Sequence, residues 1–242
     1  MTKALYLEDQ HLMDFETTIK GITNEGREVI LAETAFYPEG GGQPFDTGEL
    51  QINGRMYRVI AVNKLGENIY HKVQENIPSD LIGSLVRGKI DQGRRQYLMR
   101  HHTALHCLNA FMLKKFGVLV TGGQVGIPGE PSRHDFEIDR SLTQDERKEC
   151  EDWVNAIISE SRPVIVRYFT EEETKYILGF CRTRNAVIPA SGRIRGIEIS
   201  GIDIQACGGT HVRTTGEIGR FRIQKVDNKG ANLRRIKIML DQ

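Results

Sequence analysis

The chain has almost no excess charge: 33 Lys and Arg stand against 32 Asp and Glu over 242 residues. That balance argues against a general nucleic-acid coating protein and against an acidic disordered tail. Cysteine is scarce, with Cys107, Cys150, Cys181 and Cys207 and no CxxC pair, so neither a disulfide framework nor a ribbon-type zinc site is indicated. Reduced thiols are the default. There is no internal repeat or low-complexity stretch, and the composition excludes collagen, coiled coil and disorder. Apolar runs are too short to span a bilayer. The opening MTKALYLEDQHLMDF carries Glu8, Asp9 and Asp14 where a signal peptide needs an apolar block. The expectation is a cytoplasmic protein without a membrane partner.

What is present suffices for a real core: 39% of residues are hydrophobic, and the length allows one large domain or two modest ones. Charge is segregated along the chain. Arg87 to His102 holds five Lys or Arg against one Asp, a balance of +4. Gly219 to Lys237 holds seven against one, +6, while Asp135 to Asp152 holds eight acids and three bases, −5. Solvated faces account for this as readily as a basic cleft for phosphates, and composition does not choose between them.

Residues 1 to about 90 read as short strands cut by turns. REVILAETAFYP and RMYRVIAVNKL are β-branched or alternating, and Asn24-Glu25-Gly26, Gly40-Gly41-Gly42 and Asn53-Gly54 punctuate them. A small N-terminal β-barrel fits this pattern. From Arg94 the period changes. RRQYLMRHHTALHCLNAFMLKKF sets Leu98, Leu105, Leu108, Phe111, Met112 and Phe116 on or near one helical stripe closed by Gly117. A second helix opens at the capping box Thr143-Gln144-Asp145-Glu146 and turns Cys150, Trp153, Val154, Ile157 and Ile158 inward before Pro163. A third, short helix runs from Thr170 to near Gly179. IRGIEISGIDIQA, GRFRIQKV and LRRIKIML then read as strands. The fold class is α+β, a barrel over 1–90 followed over 91–242 by a two-layer α/β domain.

Chemistry concentrates at two half-sites. His102 and His106 lie four apart on the first long helix, so their imidazoles emerge on one face about a turn apart. His101 beside them reads as a solvent-facing or phosphate-contacting neighbour. Cys207-Gly208-Gly209-Thr210-His211 pairs a thiol with an imidazole across two glycines, which allow the chain to bend until both point to one centre. Three His and one Cys suit Zn²⁺, which favours a mixed sulfur and nitrogen tetrahedron. A zinc staple joining helix to sheet is the plainer alternative. A DNA-reading finger is excluded, because the half-sites lie about 100 residues apart and a finger closes within about 30.

RRQYLMRHHTALHCL followed by QACGGTHVRTTGEIG resembles the alanyl-tRNA editing family, which comprises the editing domain of alanyl-tRNA synthetase and free-standing proteins of the same kind. Ala35-Phe36-Tyr37-Pro38-Glu39-Gly40-Gly41-Gly42-Gln43-Pro44 is similar to the glycine-rich motif of the family's N-terminal barrel, and the likeness spans roughly residues 30 to 240. The form it matches is the medium-length, stand-alone one.

The resemblance implies hydrolysis of tRNA(Ala) mischarged with serine, and of glycyl-tRNA(Ala), with zinc held by His102, His106, Cys207 and His211. Four side chains binding at once would saturate the ion as in a structural site, so we read three firm ligands and a fourth displaced by water or substrate. Serine would be told from alanine by a hydrogen bond to its hydroxyl, for which Thr103, Thr210 and Gln124 are the candidates. Gly41, Gly42 and Gln43 are expected to shape the amino-acid site, and Arg234 and Arg235 to grip tRNA phosphates. Gly-Gly-Gln also occurs in peptide release factors, but a turn-former such as GGGQP needs no chemistry to explain it. VTGGQVGIPG (120–129) departs from the polar-residue order of the synthetase domain. Arg133, Asp135 and Phe136 match the family's R-x-D-F wording, and Asp135 reads either as the orienting partner of a zinc histidine or as a strand-edge residue. Cys107, Cys150 and Cys181 read as core or neutral thiols. A monomer is expected. The competing functions are a non-catalytic, zinc-stabilised tRNA-binding module and an editing hydrolase for another tRNA.

Overall fold

A computed structural model describes residues 1–177, 179–180 and 193–241. It divides into two compact units, Met1–Gln96 and Tyr97–Gln242.

The first unit opens with β1 (Lys3–Ala4) and the one-turn helix α1 (Leu5–Glu8), then runs through β2 (Asp14–Thr23), β3 (Glu28–Leu31), β4 (Glu33–Thr34), β5 (Gly48–Ile52), β6 (Arg55–Leu65), β7 (Asn68–Val73) and β8 (Leu85–Ile90). β1 and β4 pair in parallel, and the other six strands close into a barrel in the order β2-β3-β7-β6-β5-β8. Alternation explains the closure. β5 and β8 bury every second residue, so Leu50, Ile52, Val86 and Ile90 point inward while Glu49, Gln51, Arg87 and Lys89 face out. Register shifts at Ile19/Gly21 and Val59/Ala61 supply the bends that a six-stranded circuit needs.

Two buried polar features fix this unit. The Arg95 guanidinium, fully buried, forks onto Asp46 at 2.9 and 2.5 Å and donates at 2.7 Å to each of the Gln10 and Ala35 carbonyls. Arg95 lies in the first turns of helix α2 (Gln92–Phe116), so that helix begins in the first unit and continues into the second. The division falls inside it rather than at residue 90. The other feature is His71, which bonds Val29 O at 3.1 Å and Thr34 Oγ1 at 2.8 Å inside the barrel. Gly40 and Gln43 exchange backbone bonds of 3.1 and 2.9 Å across Gly41 and Gly42. Both glycines have positive φ, 57° and 79°, as a two-residue primed turn requires.

The second unit continues with β9 (Val120–Gln124), β10 (Ser132–Glu137), α3 (Gln144–Ser159), β11 (Val164–Phe169), α4 (Glu171–Thr174), β12 (Ile194–Ile199), β13 (Asp203–Ala206), β14 (Arg220–Asn228) and β15 (Leu233–Asp241). Its strands form two antiparallel sheets, β14-β15-β10-β9 and β11-β12-β13. Thr143 caps α3 through the reciprocal box with Glu146, and Cys150, Val154 and Ile157 pack inward with Trp153 and Ile158 half-buried beside them. α4 is a single capped turn, shorter than the run to Gly179 that its opening suggests, and Tyr176 beyond it is exposed. Every residue of α2 from His101 to Met112 is buried. One core joins Leu105, Leu108 and Met112 of α2 to Phe136, Ile197, Phe221 and Ile236 of the sheets. No helix among the described residues is long and apolar enough to cross a membrane.

Burial lowers the His71 pKa from 6.5 to about 4, so His71 is neutral in the folded barrel. Between those pH values the unfolded chain takes up a proton that the fold refuses. This term is therefore fully favourable above pH 6.5 and is lost as pH falls toward 4, by on the order of 3 kcal/mol. His71→Gln, which can still bond Val29 and Thr34, should show a flatter decline in urea midpoint from pH 7 to pH 4.5 than the unmodified protein; parallel declines would contradict it.

Candidate metal centre

α2 carries His102 and His106 one turn apart with ring centroids 5.1 Å from each other. The loop after β13 brings back Cys207 and His211. Cys207 Sγ lies 3.5 Å from His102 Nε2 and 3.3 Å from His211 Nε2, and one ligand atom from each of the four residues falls within 4.8 Å of the others. A tetrahedral ion with bonds of about 2.0 to 2.3 Å separates its ligand atoms by roughly 3.3 to 3.8 Å, so the four donors fit a metal with little adjustment. His102, His106 and His211 are buried, Cys207 is half-buried and Gly208 is exposed. The group is thus reached from the thiol side.

Burial keeps His102 and His211 in the neutral form. It drives His102 down to about 3, with His134 and Arg195 adding to the shift. Burial, then His102, His106 and Arg195, hold His211 well below 6.5. The Cys207 thiol is raised by burial and drawn back by Arg195 and by the Gly209 N–H, which donates to Sγ at 3.3 Å.

Two side chains set the geometry. Thr103 donates its hydroxyl proton to Met99 O at 2.9 Å and accepts from Val212 N–H at 3.3 Å, so its contact with His211 Nδ1 at 3.1 Å is accepted as well. The proton of His211 is thereby placed on Nδ1, and the Nε2 lone pair faces Cys207. Thr103 is an orienting residue with no hydrogen left for a substrate hydroxyl. Arg195 on β12 donates to the Cys207 and Gly209 carbonyls at 2.7 and 2.9 Å and pins the glycine loop. Sequence reading passed over it; the available signal was a lone arginine inside the apolar strand Ile194-Arg195-Gly196-Ile197.

Other expectations need correction. His101 is buried, bonded to Ser132 Oγ at 2.8 Å and stacked on Tyr97 at 4.1 Å, so it is neither solvent-facing nor free for phosphate. Asp135 forks onto Arg235 at 2.8 Å on both oxygens, with Arg133 at 3.8 Å, and orients no histidine of the cluster. Arg234 turns inward: its guanidinium donates to the Gly230, Leu233, Ala231 and Asp139 carbonyls, which leaves no reach toward a phosphate. Thr210 and Gln43 are buried, Gly41 and Gly42 are exposed, and exposed Gln124 accepts from Arg133 at 3.0 Å. Cys107 and Cys150 are buried core thiols, Cys107 raised to about 12 by burial. Cys181 lies outside the described residues.

Comparison with known proteins places the two half-sites in context. The family described as threonyl and alanyl tRNA synthetase second additional domain matches residues 194–237, and the one described as tRNA synthetases class II (A) matches residues 7–94. Over 99% of both chains, this protein is 38% identical to the alanyl-tRNA editing protein AlaX-M of Methanosarcina acetivorans. It is 36% identical to that of Methanosarcina mazei over 100% of this chain and 98% of the relative. The alanine–tRNA ligase of Thermofilum pendens is 38% identical over 92% of this chain but only 24% of its own length. With the HxxxH and CxxxH residues gathered at one centre, and this identity over whole chains, the protein belongs to the family of stand-alone alanyl-tRNA editing proteins.

Proposed function

We propose that the chain is a trans-editing hydrolase that removes serine, and more slowly glycine, from tRNA(Ala), with Zn²⁺ held by His102, His106, Cys207 and His211. The observation that carries this reading is the convergence of three imidazoles and one thiol within 4.8 Å, in a chain of the editing family. Softness of the sulfur and the mixed donor set favour zinc over magnesium or calcium.

An aminoacyl ester is already activated, so its hydrolysis needs a positioned water and a stabilised oxyanion more than a strong nucleophile. When bound, zinc supplies a Lewis-acid field for that charge. The protein's own residues do the rest. Thr103 fixes the tautomer of His211, and Arg195 holds the Cys207–Gly209 loop in its bend. The half-buried thiol and exposed Gly208 make the accessible side of the centre, which is where a fourth ligand can give way to water or substrate. With Arg234 buried and Arg235 paired, phosphate contacts fall to exposed cations such as Arg213, two residues beyond His211, and Arg220. The exposed Gly41–Gly42 turn remains a proposed substrate contact.

Seryl-, glycyl- and alanyl-tRNA(Ala) incubated side by side should be deacylated fastest, more slowly and scarcely at all, by protein carrying about one zinc per chain. His106→Ala should lose both metal and activity, and full activity in a metal-free His106→Ala protein would overturn the metal's role. Thr103→Val removes the acceptor for His211 Nδ1–H at constant volume. It should weaken zinc affinity by about 10- to 100-fold in a chelator competition; unchanged affinity would show that Thr103 does not orient the ligand.

A further inference from the structure

Beside the cluster runs a chain of four polar residues that no part of the metal centre uses. Gln205 Nε2 donates to the His106 carbonyl at 3.0 Å and to the Asp203 carboxylate at 2.5 Å. Both partners only accept, so Gln205 presents Oε1 to Asn109 Nδ2 at 3.0 Å, and Asn109 presents Oδ1 to His134 Nδ1 at 2.6 Å. The sense of every bond is forced from one end to the other. His134 must carry its proton on Nδ1, and Nε2 is left as a lone pair.

That lone pair has no hydrogen-bond partner among the described residues, although His134 is 91% buried, being 9% exposed. It points to a definite place. β9 is the open edge of its sheet, and His134 pairs with Gly123 across it. A Cβ at Gly123 would come within 2.2 Å of His134 Cδ2 and 2.6 Å of Nε2. The Cδ2–Nε2 edge therefore fills the space that Gly123 leaves at an exposed position. Asn109 sits three residues beyond His106 on α2, and Gln205 two before Cys207, so the hydrogen-bonded chain runs from the helix and the loop that carry the four donors to this notch. Burial keeps His134 neutral, at about 3.

We propose that His134 Nε2 accepts the side-chain hydroxyl of the aminoacyl group and so sets the preference for serine over alanine. This rests on the editing reading above. A seryl ester donates its O–H to Nε2. A glycyl ester leaves room for a water that does so. The methyl of an alanyl ester displaces that water and donates nothing, which leaves a buried acceptor unfilled. Rejection of the correct product then follows from the same atom that accepts the wrong one.

The test compares kcat/KM for seryl-, glycyl- and alanyl-tRNA(Ala) in the zinc-loaded full-length protein, in His134→Phe and in Gly123→Ala. Ala at 123 keeps His134 but pushes its ring from the notch, and it carries the test alone where Phe at 134 prevents folding. Either variant should lower the serine-to-alanine ratio by about 10- to 100-fold, while His134→Gln, whose Oε1 can accept outward, should recover part of it. An unchanged ratio, or an equal loss on all three esters, overturns the assignment of the hydroxyl to His134. Wild-type protein that hydrolyses none of the three esters overturns the editing reading itself, and the assignment with it.

Discussion

The constraint on which the second unit depends is the closure of two half-sites 105 residues apart, His102 and Cys207, onto one point. Three imidazoles and a thiol brought together and buried are costly when unligated, because desolvation and mutual repulsion both oppose charge on them. The surrounding structure holds them aligned. α2 gives the two histidines a common face, the two glycines of the Cys207–His211 loop allow the return, and Thr103 and Arg195 fix the loop's end and its bend. With a metal in place, the ligation free energy becomes folding free energy for helix and sheet together.

Part of the charge on this protein is met within its own sheets. The basic run near the C-terminus, which reads as a phosphate grip, is partly neutralised by acids of the same sheet: Asp227 takes Lys225 of its own strand and Lys237 of the next at 2.7 and 3.1 Å, and Asp241 takes Arg222 across the strands at 3.1 Å. Arg235 is held by Asp135. A tally along the chain sees seven cations in nineteen residues, whereas in the sheet four of them, Arg222, Lys225, Arg235 and Lys237, meet an acid. On the proposed function, attraction to tRNA phosphates falls to exposed cations of this region without an acid partner, such as Arg220.

Much of the fold was legible because periodicity and caps are local signals. The strand RMYRVIAVNKL occupies β6 residue for residue, and the Thr143 capping box opens α3 as its spacing implies. The four residues of the candidate metal centre were legible for a different reason: an i, i+4 histidine pair and a CxxxH loop are short patterns with few other uses. What could not be read depends on which strand lies beside which. His101 looked like a surface residue until β10 brought Ser132 against it. Asp135 looked like a partner for a histidine, but antiparallel register sets it opposite Arg235. Arg195, Asn109, Gln205 and His134 meet their decisive partners 12 to 99 residues away, so no window along the sequence contains their chemistry.

The central claim is that one zinc ion joins these two half-sites through three nitrogens and one sulfur. Zinc-edge X-ray absorption on the purified protein tests it directly. The account predicts a single sulfur near 2.3 Å and nitrogens near 2.0 to 2.1 Å, the distances expected for a Cys and His shell. A first shell of light atoms alone, with no sulfur contribution, would contradict the place of Cys207 in the centre and with it the convergence from which the function is argued.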